Sequence, residues 1–339
     1  MQKNTLLLLT VITVFIISAC SKTIEPALSV KDIYTCGNIT ISGNRVATYW
    51  KNGVATSLTD GKNNAYALAM VAVGSDVYVA GGEYNSPNFV AKFWKNGIAT
   101  SLTNSKNYGA ASSITVVGND IYVAGYEENS SNYIAKYWKN GVATSLTGSK
   151  NNGFASSITV VDNDVYVAGS EGNGSKYITK YWKNGVETSL TDGKNDGGAS
   201  AIVVVGSDVY VAGNEYNGSS SVAKYWKNGI ATSLTDGKNE ASATAIMVVG
   251  SNVYVAGYEN NGSKKVAKYW KNGVSISLTD SKNESYAAAI KILGNDVYIT
   301  GYEYNGFYNV AKYWKNGVAT SLGDGKSDSY ASGMLIITN

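Results

Sequence analysis

Histidine is absent from all 339 residues, arginine occurs once (Arg45), and cysteine occurs twice (Cys20 and Cys36). Without an imidazole the chain cannot build Ser-His-Asp or Cys-His nucleophilic sites or histidine-bearing zinc sites. It also lacks the commonest general base at neutral pH. A single arginine excludes an arginine cluster of the kind that clamps a substrate carboxylate. Paired carboxylates remain as an enzymatic route, but the acids recur at fixed intervals, which points to a structural duty. The expectation is a non-enzyme with no catalytic residues, no cofactor and no metal; one carboxylate per loop offers too few oxygens for calcium. Neither charge sign dominates, with 28 basic against 25 acidic residues, and 27 of the basic residues are lysines spread along the chain. Nucleic acid, which wants clustered basic surface, is therefore not an expected partner.

What the chain does have is repetition. Trp50, Trp94, Trp138, Trp182, Trp226, Trp270 and Trp314 follow one another at a constant spacing of 44 residues, and there are no other tryptophans. A fixed period of this length means tandem copies of one supersecondary unit. Within a copy, Ala201–Val205 and Asp208–Gly213 flank Gly206-Ser207, and β-branched and aromatic runs bounded by such residues read as a hairpin. Val222–Lys227 and Ile230–Leu234 flank Asn228-Gly229, the dipeptide best suited to the two positive φ angles of a type I′ turn. Four strands, a to d, fill each copy. In the copy that holds Trp138 they are expected at 110–117, 120–125, 134–139 and 142–146. The longer connections b–c (126–132) and d–a (147–152) then share one face, and the tight a–b and c–d turns share the other.

One four-stranded sheet cannot bury both of its sides, so the copies must stack, and radial stacking into a propeller protects the edges. From Asp32 to Asn339 is 308 residues, seven times 44. The chain enters the repeat at strand b (Asp32–Gly37) and leaves it after strand a (Ala331–Thr338), so the last strand supplies what the first copy lacks. The expected fold is all-β: a seven-bladed β-propeller of 44-residue, four-stranded blades, closed by the C-terminal strand and occupying residues 32–339 as a monomeric domain. A glycine closing strand b (Gly81-Gly82, Gly125) followed by Tyr-Trp in strand c makes the unit resemble WD40 and kelch-type propeller repeats. The Trp-Asp of the former is Trp-Lys here, and the kelch double glycine occurs once.

Residues 1–19 read as an export signal: Lys3, then an apolar stretch from Leu6 to Ile17 of signal-peptide rather than membrane-spanning length, then small residues. Ile17-Ser18-Ala19-Cys20 resembles a bacterial lipobox. The resemblance implies cleavage before Cys20, acylation of that cysteine, and a tether over 20–31 that holds the domain to a lipid bilayer in the cell envelope, at the outer membrane and outside the cytoplasm. Cys36 occupies a strand position held by Ala80 and Ala124, so a buried small apolar role is expected and no disulfide.

Rings of repeated residues carry structural expectations. Asp32, Asp76, Asp120 and their equivalents open strand b beside Lys51, Lys95, Lys139 and theirs, which suggests turn chemistry and exposed ion pairs on the tight-turn face. On the long-loop face Lys62 recurs in all seven copies and Glu83 in six, which suggests a Lys–Glu pair between blades, with Asn85 as a turn residue. Recognition should lie where copies differ. At the start of strand a these are Tyr66, Tyr108, Phe154, Tyr286 and Tyr330; around the b–c connection they are Tyr84, Tyr126, Tyr216, Tyr258, Tyr302 and Tyr304. Tyrosine among Asn, Ser and Gly makes adaptable binding surfaces at low entropy cost. The expected role is a membrane-anchored scaffold that binds a protein or glycan through this face. A lectin with several equivalent sites and a spacer without a ligand are the alternatives.

Overall fold

The computed structural model describes residues 29–339, which form seven four-stranded antiparallel sheets. The export signal, Cys20 and most of the tether lie outside the described residues. In the blade of Trp138 the strands are Gly109–Val117, Asp120–Asn129, Asn132–Lys139 and Val142–Ser145, from the axis outwards. Innermost strands of successive blades contact one another all the way around, and the last, Ser329–Thr338, also contacts Ala65–Val73 of the second blade, so the ring is closed.

Closure is made as the repeat phase implied. Ser329–Thr338 pairs with Val30–Ile41 and becomes the inner strand of the first blade, setting Thr35 opposite Met334 and Ile33 opposite Ile336. The two ends are tied together beyond the strands: Asn339 donates its backbone N–H to Ser29 O at 3.1 Å and its side-chain amide to Ser29 Oγ at 2.7 Å.

The period-44 tryptophan is the wedge between blades. Trp138 is buried with Tyr78, Ala80, Ala91 and Phe93 of the preceding blade, and Trp50 with Ala311 and Leu322 of the seventh blade and with Ala331 of the closing strand in its own. The small partners are required by the large one, since an indole inserted between two sheets leaves room at the facing positions only for a small side chain, alanine in most blades and Cys36, Thr179 or Thr300 in the others. Truncating such a buried tryptophan to alanine costs about 3–5 kcal/mol. Cys36 is free and fully buried in the same kind of contact, beside Ala47 and Trp94, as its alanine equivalents predicted.

Each inner strand carries a bulge opposite a glycine of strand b, as at Ala67/Ala69 against Gly81. A Cβ at Gly81 would overlap the Tyr66 carbonyl oxygen, which is why the position tolerates no side chain. The Asn-Gly turns adopt positive φ at both residues, 51° and 84° at Asn96-Gly97. Their asparagines do more than turn. Asn96 Oδ1 accepts the Val77 N–H at 2.9 Å and its amide donates to Asp76 Oδ1 at 2.8 Å, tying the c–d turn to the a–b turn, and the arrangement recurs in the other blades.

One boundary differs from expectation. Strand b runs on to Asn129 and strand c begins at Asn132, so most of the expected 126–132 connection is sheet. Its Tyr, Glu and Asn residues look like loop composition. They are instead paired across the hairpin, Tyr126 with Ala135 and Glu127 with Ile134, and the Glu127 side chain accepts from Lys136 Nζ. Only the last four blades keep a longer b–c loop, such as Asn173–Lys176, where Asn173 Oδ1 accepts the Ser175 and Lys176 N–H groups.

Candidate recognition face

The extension of strands b and c lifts two sets of side chains onto the face opposite the tight turns. The first is a ring of ion pairs. Glu83, Glu127, Glu171, Glu215, Glu259 and Glu303 each meet a lysine of the neighbouring strand c of their own blade (Lys92, Lys136, Lys180, Lys224, Lys268 and Lys312) at 2.5–2.7 Å. This corrects the expected pairing between blades. Lys62 binds Asp60 of its own loop at 2.9 Å and is largely exposed. The sequence hid the true partner because Lys92 sits in the Ala-Lys-aromatic run of strand c, where its alternation reads as an ordinary outward residue. In the fourth blade Lys180 is buried and also reaches Glu187 at 2.6 Å. Burial pulls its pKa down, but the bonds to Glu171 and Glu187 outweigh that, and the net shift is upward.

The second set is aromatic. Tyr66, Phe89, Tyr108, Tyr126, Tyr133, Phe154 and Tyr177 form a continuous arc over three blades, with centroid separations of 5.0–6.2 Å between neighbours. Tyr84 joins it edge-on through Phe89 at 5.6 Å. A second arc, Tyr258, Tyr286, Tyr302 and Tyr330, spans the sixth, seventh and first blades. Rings at 4.5–7 Å in tilted, edge-on and stacked geometry hold one another in place, so the surface is preorganised. Burial pushes the phenols of Tyr66, Tyr126 and Tyr258 upwards, and that of Tyr302 to about 12, so all are neutral at physiological pH; Tyr258 is itself buried and its hydroxyl already donates to Glu240 Oε1 at 2.8 Å.

Of the eleven aromatics expected from the sequence, nine belong to these arcs. Tyr216 stands apart, and Tyr304 is occupied in donating its hydroxyl to Gly306 O at 2.7 Å. The arcs are separated at the fifth blade, where Gly198, Asn214 and Ser221 hold the equivalent positions and Ser242 donates to Asn214 at 3.4 Å. At the first blade they are joined by a cleft of about 490 Å³, lined by Tyr330 on one side and by Tyr66, Phe89 and Tyr108 on the other. Arg45 lies in this cleft with its guanidinium 5.9 Å from the Tyr330 ring centroid. Asp328, also in the cleft wall, accepts the Asn309 N–H at 2.8 Å.

Sequence reasoning missed Phe89, Tyr133, Tyr177, Arg45 and Phe307. The first four share one position of strand c, which reads Arg45, Phe89, Tyr133, Tyr177, Ser221, Lys265 and Asn309 through the copies. That variability was a visible signal. Phe307 stands 83% exposed at the b–c loop tip of the seventh blade, where the fourth, fifth and sixth have Ser175, Ser219 and Ser263.

The central channel is lined by small and apolar residues of the inner strands, among them Ser112, Ser156, Ser200 and Ile290, with Lys291 among its lining residues. Lys291 is exposed to the channel but crowded by its walls, and that desolvation lowers its pKa. Among the described residues no group of three or more acidic, histidine or cysteine side chains is arranged to hold a metal ion.

The described residues therefore define a seven-bladed β-propeller with one decorated face. No protein-family model matches the chain, and no curated protein matches it. Among solved structures, the crystal structure of TolB from Acinetobacter baumannii is similar, at 12% identity and a TM-score of 0.49 over 89% of this chain and 81% of that one.

Proposed function

We propose that this protein is a non-enzymatic recognition scaffold, held to a bilayer through acylated Cys20, that binds a protein or glycan across its aromatic face. The supporting observation is the asymmetry of that face. Seven copies with nearly identical cores carry ordered aromatic arcs over five blades and the neighbouring first blade, a gap at the fifth, and the only arginine in the cleft where the arcs meet. A lectin with several equivalent sites would repeat its binding residues from blade to blade. Here the cores repeat and the face does not, which favours one composite site for one partner. Apart from buried Tyr258 the rings of the arcs are half-buried and Arg45 is exposed, and aromatics and arginine are the residue types that carry most binding energy at such surfaces. The face also displays neutral phenols and a guanidinium over apolar rings, a surface that takes sugar rings or an aromatic and acidic peptide segment equally well by stacking and charge-assisted hydrogen bonds.

The test pairs a glycan array with crosslinking to intact cells, using the wild type and an Arg45→Ala, Phe307→Ser variant. A bound partner that the variant loses supports the reading. A partner retained by this variant and by the aromatic substitutions described in the Discussion places recognition elsewhere.

A further inference from the structure

We propose that the tight-turn face lies against the bilayer, docked by a rim of exposed aliphatic side chains, so that the aromatic face points away from the membrane. The inference rests on the acylation of Cys20 proposed above and adds the orientation and the lipid-contacting residues.

Most of the exposed apolar surface lies on this one face. Val54, Ile98, Val142 and their four equivalents follow the Asn-Gly turns at the outer rim and are 66–75% exposed. Around the channel mouth, Val73, Val117, Val205 and Val249 at the ends of inner strands are 40–43% exposed. Together these make up eleven of the fifteen large hydrophobic residues exposed among the described residues. Isolated exposed valines need no explanation, but two concentric rings on a single face do. Between the rings stand the lysines of strand c, and six of the seven are ion-paired to the aspartates that open strand b, at 2.7–3.1 Å. Their charge is thus largely neutralised. The face suits the apolar and zwitterionic boundary of a bilayer rather than an acidic macromolecule.

The chain path selects the same face. Strand b of the first blade begins at Val30, level with the tight turns, because Val30 pairs with Thr338 at the end of its neighbour. From Cys20 to Val30 is ten residues, which span at most about 35 Å when fully extended. Val30–Ile41 is twelve residues long, and at about 3.3 Å per residue it is itself nearly 40 Å tall. A tether leaving the tight-turn face would have to spend its whole length climbing the ring before the opposite face could meet the membrane. An acyl chain at Cys20 therefore holds the aliphatic rim at the bilayer surface.

The test uses the mature acylated protein, residues 20–339, in phosphatidylethanolamine-rich proteoliposomes. Cys36 is buried, and burial raises its thiol to about 12, so an introduced cysteine is the reactive one. An environment-sensitive fluorophore is placed at Val186→Cys on the rim, or at Ser263→Cys on the opposite face, and read with spin-labelled lipids as quencher. The expected result is loss of most emission from the Val186→Cys probe, none from the Ser263→Cys probe, and no relief at high salt. Adding Ile98→Glu, Val142→Glu, Ile230→Glu and Val274→Glu should abolish quenching while metabolic palmitate labelling persists. Quenching at Ser263→Cys, equal quenching at both sites, or quenching that survives the four glutamates with labelling intact would overturn the docking inference. Absence of palmitate label from the wild type would overturn the acylation reading instead, and the inference with it.

Discussion

Lys136 Nζ lies 2.6 Å from Glu127 Oε2 across the second hairpin of its blade, and in the first blade the same two positions hold Thr48 and Ile39. The chain thus contains both solutions to one packing problem, an ion pair and its uncharged replacement. Both members of the pair are mostly covered, with side chains 19% and 18% exposed. Removing one partner strands the other charge; replacing both does not. Lys136→Thr alone is expected to destabilise by about 2 kcal/mol. The double variant Glu127→Ile with Lys136→Thr should recover most of that loss, as measured by denaturant titration. A double variant no better than the single one would show that the pair is not the reason for its own repetition.

The closing strand sets a second prediction. Deleting Ser329–Asn339 removes the inner strand of the first blade and with it the buried Met334 and Leu335. At about 1.5–3 kcal/mol for each buried aliphatic side chain, these two alone approach the net stability of a domain, and the neighbouring blades lose cover as well. Aggregation or a large drop in melting temperature is expected. An unchanged melting curve would contradict the closed ring.

The tight-turn face should contribute to acid sensitivity, modestly at each of its solvent-exposed pairs. The Asp76 carboxyl is held below its ordinary 3.8 by hydrogen bonds from Lys95 and then Asn96, and Asp120, Asp164, Asp208 and Asp296 by their equivalents. A depressed carboxylate contributes stability above its ordinary pKa and loses it as pH falls through the folded value. The partner lysines are raised above 10.5, chiefly by those aspartates, and their contribution is lost only in strong alkali. With no histidine to titrate between, melting temperature should stay flat from about pH 5 to 9 and fall below about pH 4. Asn252 is the natural neutral version, accepting from Asn272 at 2.8 Å. Aspartate-to-asparagine changes at Asp76, Asp120 and Asp208 should therefore fold and flatten the acid limb. A titration step near pH 6.5 would contradict this account.

Recognition should fail with the arcs. Replacing Tyr66, Phe154, Tyr286 and Tyr330 with serine, the residue already present at Ser242, is expected to leave the circular dichroism spectrum unchanged. Partner binding should weaken by orders of magnitude, at about 2 kcal/mol or more for each hot-spot side chain. Lys51, Lys139 and Lys227 substitutions on the opposite face should leave soluble-partner affinity unchanged. The reverse pattern would assign recognition to the wrong side.

Cys20→Ala should fold normally and carry no palmitate. Continued labelling of that variant would remove the lipoprotein reading, whatever happens at the aromatic face.

The sequence alone determined the repeat, the number of blades, the strand order within each blade and the closure, because each follows from local or one-dimensional regularities: a 44-residue period, Asn-Gly turns, alternating β-branched runs and the phase of the two ends. It also placed most of the aromatics on the face opposite the tight turns, where the structure has them, since copies with a common core can be compared with one another. What it could not decide was which side chains meet across space. Glu127 was visible as a repeated acid, but its choice of Lys136 over Lys106 depends on how far strands b and c extend, and that extension is stabilised by the pair itself and by the neighbouring rings. Arg45 and Phe89 come from different blades, and only the turn of the ring brings the Tyr330 side of one against the Tyr66 side of the next. Partition into two arcs, the cleft between them and the two aliphatic rings on the far side are likewise properties of the closed circle, in which residues 44 apart become neighbours and the last strand lies beside the first.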